Sequence, residues 1–337
     1  GDDGAVRRAD HRVHERLVAM NINFDSLFFP LTIDRQKYRD PSFYQIADRF
    51  FALSEKYNFR YTIFVIGRDL ENPEVFARVR EWARAGHEIG NHTWTHHHNL
   101  GALPRPRMEE EVLRAHEIIT RCTGAEPRGF ISPAWSTSRE LIDVLIRAGY
   151  LYDTSIFPSP LLALAMAKLS LNARSHGVYN ASWWKRRDKR AAFFAPRQPY
   201  FLNGSSLLHR KESGILMMPL PTLSAFRIPC WHTFSFFIGS MLQRALVRLT
   251  ARTTDTFYYL MHPADLTDWE RDLDPAFRKQ YASELALFER LRTPFKRKEK
   301  LASEVFQTLA KLGKFVTLEE MARAWISSAQ NRSQSIQ

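Results

Sequence analysis

Cysteine is nearly absent. Cys122 and Cys230 are the only two in 337 residues, and they lie far apart. That excludes a disulfide framework and suits a reducing compartment or plain burial. No apolar run approaches the roughly 20 residues that span a bilayer, so no transmembrane helix is expected. No secretory signal stands at the start, and an opening at Gly1 leaves secretion open either way. No base-reading motif accompanies the positive charge, and the Lys and Arg residues are spread over many predicted helices. Nucleic acid is therefore not expected as a partner.

What is present is a globular composition, 45% hydrophobic and 25% charged. The length suits one large α/β domain or two small ones, with ample residues for a full core. The net charge of +12 and the pI near 9.8 favour anionic partners such as phospholipid or a phosphorylated substrate. A cytoplasmic or peripheral inner-membrane location is favoured on these grounds.

Along the chain, residues 1–16 read as a charged arm. Leu17 to Asp25 reads as a buried strand that turns polar at its C-terminal end. Helical spacing follows over 42–57, then a strand over Tyr61–Ile66, then a helix from Pro73 to Ala85 closed by Gly86. Further strands are predicted at Arg128–Ser132, Tyr150–Asp153, Ile215–Met218, Phe257–Met261 and Phe315–Thr317. Helices are predicted at Met108–Cys122, Ser138–Ala148, and near 278–292, 297–312 and 318–328. Alternating strands and helices imply parallel βαβ units, and seven or eight of them suggest an irregular (β/α)7-type barrel. One domain over 17–328 is expected, with a long insertion at about 154–256 and a loose tail at 329–337. In such barrels reactive residues sit at the C-terminal ends of strands. Asp25, His92, Asp153 and His262 all fall there.

The most informative stretch runs Gly86-His87-Glu88-Ile89-Gly90-Asn91-His92-Thr93-Trp94-Thr95-His96. His92 and His96 are four apart, so both imidazoles can aim at one metal ion from a helix turn or a strand-to-loop bend. Gly86 and Gly90 break a helix and favour the bend. This stretch resembles the metal motif of the polysaccharide deacetylase (NodB-homology) family of carbohydrate esterases, whose fold is an irregular barrel of the kind predicted.

The resemblance implies a metal held by His92, His96 and a first-strand carboxylate, for which Asp25 is the candidate. Two histidines and one carboxylate leave positions open for water and a substrate carbonyl. Zinc is the default divalent ion, and nickel or cobalt suits the same ligands. The family's first motif reads Thr-Phe-Asp-Asp or Asp-x-Asp, and this chain has Asn23-Phe24-Asp25-Ser26. On the Asp-x-Asp alignment Asn23 occupies the base position and Asp25 ligates the metal. On the adjacent-pair alignment Asp25 is the base and Ser26 replaces the ligand. An amide cannot accept a proton at neutral pH, so the first alignment leaves the catalytic base vacant. Phe130-Ile131-Ser132-Pro133-Ala134-Trp135 resembles the third motif, with Ile131 where the family has an arginine that orients the base. Tyr150-Leu151-Tyr152-Asp153 resembles the fourth motif and Leu260-Met261-His262-Pro263 the fifth, in which His262 would be the general acid. Trp94, Pro133, Trp135 and Asp153 are the candidate substrate-binding residues.

The expected reaction is metal-dependent hydrolysis of an N-acyl group, acetyl or formyl, on an amino sugar of a polysaccharide or lipid-linked glycan. The branch that deformylates a lipid-linked aminosugar has His-Ala-Trp-Asp-His-His at the metal and also lacks the third-motif arginine. His92 to His97 and Ile131 are similar to it. The insertion combines apolar runs with Trp183-Trp184-Lys185-Arg186-Arg187, and Trp231 to Ile238 is aromatic. It reads either as a lid with its own small core or as a peripheral membrane contact. The alternative function is a deacetylase-fold protein that binds glycan without turning it over, and Asn23 is the residue that favours it.

Overall fold

The computed structural model describes residues 16–27, 38–161, 192–204, 213–224, 226–282, 285 and 289–334. The N-terminal arm up to residue 15 and the Trp183-Trp184 segment lie outside the described residues.

The centre of the fold is β1 (Leu17–Phe24). Its side chains alternate between faces. Val18, Met20, Ile22 and Phe24 pack into the large cluster shared with the surrounding helices. Ala19 joins a second cluster with Phe64, Ile131, Tyr152, Tyr258 and Leu260 inside the curve of the sheet. Asn21 and Asn23 share the Ala19 face by the same alternation. The remaining strands are β2 (Tyr61–Val65), β3 (Glu88–Asn91), β4 (Gly129–Phe130), β5 (Tyr152–Asp153), β6 (Tyr200–Leu202), β7 (Ile215–Met217), β8 (Thr222–Leu223), β9 (Ile228–Pro229), β10 (Phe257–Met261) and β11 (Lys314–Val316). The main sheet runs β10-β1-β2-β3-β4-β5-β7-β6, with β11 also paired to β1. Every pairing in it is parallel except β6 with β7. The result is a curled half-barrel, and its irregularity is this open path from β10 to β6.

The helices are α1 (Gln45–Tyr57), α2 (Pro73–Arg84), α3 (Arg105–Thr123), α4 (Arg139–Arg147), α5 (His232–Thr253), α6 (Pro275–Gln280), α7 (Glu289–Arg292), α8 (Phe295–Leu309) and α9 (Leu318–Gln334). Local chemistry fixes their ends. Asn72 caps α2 ahead of Pro73, Ser138 caps α4, and Asn58 closes α1 in the left-handed conformation. Gly90 in β3 is required by packing, because a Cβ there would stand 2.4 Å from the ring of Phe64.

Three departures from the sequence reading have physical causes. Helix α9 continues to Gln334, so the tail expected to be loose from 329 is helical over most of its length. The helix expected near 278–292 begins earlier, at Pro275, where Asp274 caps α6, and α7 lies within its expected range. Helix α5 was not visible by periodicity, because its outward face is apolar and Gly239 interrupts its regular dihedrals. None of the helices among the described residues is long and apolar enough to cross a membrane.

Candidate metal centre

Asp25, His92 and His96 converge. Their ligand atoms all lie within 4.8 Å of one another. His92 Nε2 is 3.0 Å and His96 Nε2 3.1 Å from the same Asp25 Oδ1. Asp25 leaves the end of β1, and His92 follows β3 directly. The separate alternation of each strand therefore turns both into the same mouth.

The loop from His92 to His96 is held under strain. Thr93 and His96 adopt left-handed conformations, with φ of 68° and 60°. Two buried side chains oppose that cost. Asn91 Oδ1 accepts the Thr93 N–H at 2.7 Å, while its amide donates to Val112 O. Glu111, from α3, accepts the Thr95 N–H at 2.8 Å and the Thr95 hydroxyl at 2.7 Å.

The donor set fits a divalent cation. His92 Nδ1 lies 2.8 Å from Ile131 O, a carbonyl that only accepts. The proton of a neutral His92 is thereby placed on Nδ1, and Nε2 points a lone pair at the Asp25 carboxylate. Two acceptors 3.0 Å apart repel unless a metal ion or a proton lies between them. Burial works against the charge on Asp25, yet the two imidazoles, His96 foremost, hold its carboxyl well below the usual range. Burial lowers the pKa of His96, partly countered by Asp25.

His262 follows β10 on the strand beside β1. Its backbone N–H donates to Asp265 Oδ2 at 2.8 Å, and its Nδ1 lies 4.0 Å from the same oxygen. Arg290 reaches Asp265 Oδ1 at 3.4 Å. Burial, with the Arg290 charge second, pushes the His262 imidazole down to about 4, so it is neutral at pH 7. The single 3-10 turn that follows, Pro263–Leu266, is braced by Lys298. That ammonium is fully buried and donates to the carbonyls of Ala264, Thr267 and Leu291 at 2.9, 2.8 and 3.2 Å.

An aromatic wall adjoins His262. Trp231 packs edge-on against its ring with centroids 5.8 Å apart. Trp135 meets Phe157 at 4.7 Å and Trp231 at 5.4 Å. Ala134 and Trp135 have φ near 50°, which turns the Trp135 ring towards this wall after Pro133 starts the turn. Trp231, Phe157, Asp265 and Glu111 are site residues that the sequence did not single out for these roles. Only the spacing of Asp265 three residues after His262 offered a signal.

Two candidates lie elsewhere than expected. Trp94 packs into the core beneath the Arg114 guanidinium, 3.9 Å from its ring centre, and faces the cleft between α2 and α3. It is not part of the groove at the metal cluster. Asp153 has no exposed surface. Its Oδ1 accepts the N–H of Ser155 at 2.7 Å and also its hydroxyl, while Ser155 Oγ accepts the N–H of Ser132. Burial pushes its carboxyl up to about 7. It therefore ties the third-motif turn to β5, and its Oδ2 is buried and unpaired among the described residues. Asn23 is buried, on the face that leads to Asp25, with its Oδ1 unpaired among the described residues.

A curled parallel sheet with two histidines and a carboxylate at its strand ends defines a fold of the carbohydrate-esterase deacetylase kind. The polysaccharide deacetylase family model matches residues 30–152. The matched stretch includes His92, His96, Pro133 and Trp135, and leaves Asn23, Asp25, Asp153 and His262 outside its limits. A peptidoglycan deacetylase of Helicobacter pylori is 30% identical over 108 residues, 32% of this chain and 36% of the relative. A peptidoglycan-N-acetylglucosamine deacetylase of Bacillus cereus is 32% identical over 82 residues, 24% of this chain and 28% of the relative. The aligned stretches thus span about a third of these relatives. The crystal structure of a Mycobacterium smegmatis protein assigned to the polysaccharide deacetylases matches with a TM-score of 0.57 at 15% identity, covering 93% of this chain and 91% of that one. That likeness concerns the fold.

Proposed function

We propose that the chain hydrolyses an N-acyl group, acetyl or formyl, from an amino sugar in a polysaccharide or lipid-linked glycan, at a divalent metal held by Asp25, His92 and His96. The convergence of these three groups on one point supports this reading more than any other observation. Zinc suits the set best, and nickel or cobalt is compatible. Such an ion, when bound, polarises a carbonyl and lowers the pKa of a coordinated water toward about 7.

The chain's own residues supply the rest. Asn23 can orient a water through its amide but cannot take a proton. As a neutral imidazole His262 can take the proton that water releases and return it to the departing amine nitrogen, although its burial makes it a weak base. Asp265 lies on the Nδ1 side of that ring, which leaves Nε2 for the substrate. Trp135 and Trp231 form an apolar wall against which a sugar ring can stack. An amphiphilic or anionic glycan agrees with the basic charge, and a site at a membrane surface agrees with the insertion.

A second reading is favoured by Asn23 alone: a glycan-binding protein with the deacetylase fold and little turnover. Acetate and formate release from N-acetylated and N-formylated amino-sugar oligomers, with zinc added, separates the two. Turnover in the wild type with loss of both bound metal and turnover in His92→Ala is the expected result. Equal metal content in wild type and His92→Ala would sink the metal assignment. Stoichiometric metal and glycan binding without acyl release would favour the second reading.

A further inference from the structure

One stretch of the sequence carries both the excess positive charge and most of the exposed large apolar side chains among the described residues. Residues 154–253 hold fourteen Lys and Arg against two acidic residues, Asp188 and Glu212. That difference of +12 equals the formal charge of the whole chain, so the remaining residues balance. Of the seven large apolar side chains exposed among the described residues, six fall in the same stretch: Phe194, Phe226, Phe237, Met241, Leu242 and Leu249. They are between 47% and 76% exposed, where a protein without a partner for them would have polar residues.

Their placement is organised. After Gly239, Met241, Ala245 and Leu249 recur every four residues on the exposed side of α5, with Leu242 beside them. Arg248 and Arg252 flank this stripe and are exposed. The opposite face, with Leu246, Val247 and Ala251, is buried. Phe226 projects from the turn between β8 and β9, beside Phe194. The guanidinium of Arg227 ties that turn to the Phe194 segment by donating to Ala195 O at 2.8 Å and Pro158 O at 3.2 Å. Trp231, the residue packed on His262, is the N-cap of α5. The N-terminal end of α5 therefore adjoins the candidate metal centre, and the apolar stripe follows further along the same helix.

We propose that this face, formed by the exposed stripe of α5 and the Phe194–Phe226 turn, docks on the surface of an anionic lipid bilayer. An amphipathic helix with arginines beside its apolar stripe lies in the headgroup plane, with its apolar side chains at the acyl boundary. A polyanion such as nucleic acid would satisfy the arginines but leave six large apolar groups in water. Orientation of the site toward a lipid-linked glycan rests on the proposed hydrolysis, whereas docking itself does not.

The test is sedimentation of the full chain with vesicles of phosphatidylglycerol and phosphatidylcholine in equal parts, against vesicles of phosphatidylcholine alone. Binding is expected on the mixed vesicles at low salt, with release at high salt as the surface attraction is screened. Phe237→Ser/Met241→Ser/Leu242→Ser should weaken partitioning by at least about 100-fold, from the apolar area those side chains bury. Arg248→Gln and Arg252→Gln should each cost roughly fivefold on the mixed vesicles and nothing on the neutral ones. Circular dichroism melts check that each variant is folded. Absence of binding at low salt overturns the proposal. So does a folded triple variant that binds as the wild type does, since charge alone would then account for binding. A wild type that is dimeric and a triple variant that is monomeric would assign the face to a second copy of the chain instead. None of these readouts needs turnover, so a failed acyl-release assay leaves the docking result interpretable.

Discussion

Glu111 offers the sharpest test of how the metal loop is built. It lies on α3, sixteen residues beyond Thr95, and touches no ligand atom in the cluster. Its two oxygens nevertheless hold Thr95 by both the N–H and the hydroxyl, between the two histidines. Each bond to a charged group contributes about 1.5–3 kcal/mol. The two left-handed residues of the loop, Thr93 and His96, cost on the order of 1–3 kcal/mol each. The two sums are comparable, so Glu111 decides whether the strained loop is the ground state. Glu111→Ala should release it. Thr95 is only half-buried, so water can satisfy the vacated N–H, and the global stability loss should stay near 1–2 kcal/mol. Metal affinity should fall further, by about 10–100-fold, as it does when groups that orient ligands are removed. Glu111→Gln keeps one acceptor and should fall between the two. The assay is zinc competition against a chromophoric chelator, with denaturant unfolding of the metal-free protein alongside. An alanine variant that binds zinc within twofold of the wild type would refute the reasoning.

Two further outcomes follow from buried groups. Burial lowers the Lys298 ammonium from its ordinary 10.5 to about 7, so between those values the unfolded chain binds more protons and this group's contribution to stability rises with pH. Subtracting the pH dependence of Lys298→Met from that of the wild type over pH 7–9 isolates it from tyrosines and cysteines titrating nearby; a slope of up to about 1.4 kcal/mol per pH unit is expected, and identical slopes would contradict it. Gly90→Ala forces a Cβ to 2.4 Å from the fully buried Phe64 ring and should destabilise by about 1–3 kcal/mol in thermal melts; an unchanged melting temperature would show that the ring can yield.

The fold was legible wherever one face of a strand or helix is apolar and the other is not. Helices α1 to α4 carry their caps and stripes in the sequence, and the structure places them within a few residues of the expected bounds. Helix α5 was hidden because an apolar residue on its outer face reads like one on its inner face. The candidate metal ligands were legible because they are close in sequence or sit at strand ends. Glu111, Asp265 and Trp231 were not, because their roles depend on contacts across the fold that no local pattern records. Trp94 shows the converse: it stands between two ligands in sequence, yet the bend that aims the histidines inward turns its ring out under Arg114.

Asn23 and Ile131 are best understood as a pair. Asn23 lies on the interior face of β1, and Ile131 follows β4, also buried and part of the interior cluster. An arginine at 131 facing an amide would bury a charge without a counter-charge, which costs several kcal/mol. A carboxylate at 23 facing isoleucine would do the same with the opposite sign. The observed pair avoids both costs, at the expense of a carboxylate at position 23. Asn23→Asp alone should therefore introduce a base whose carboxyl is raised by burial, and the gain in acyl release should fall short of the roughly 10²–10⁴-fold that a positioned base contributes. Asn23→Asp with Ile131→Arg supplies the counter-charge. The double variant should be faster than the single one and should recover the stability that each single variant loses. The measurement is acetate or formate release on one substrate at matched metal content, with unfolding free energies for all four forms of the cycle. If the two substitutions prove additive in both rate and stability, the side chains do not meet, and Asn23 does not occupy a vacated base position.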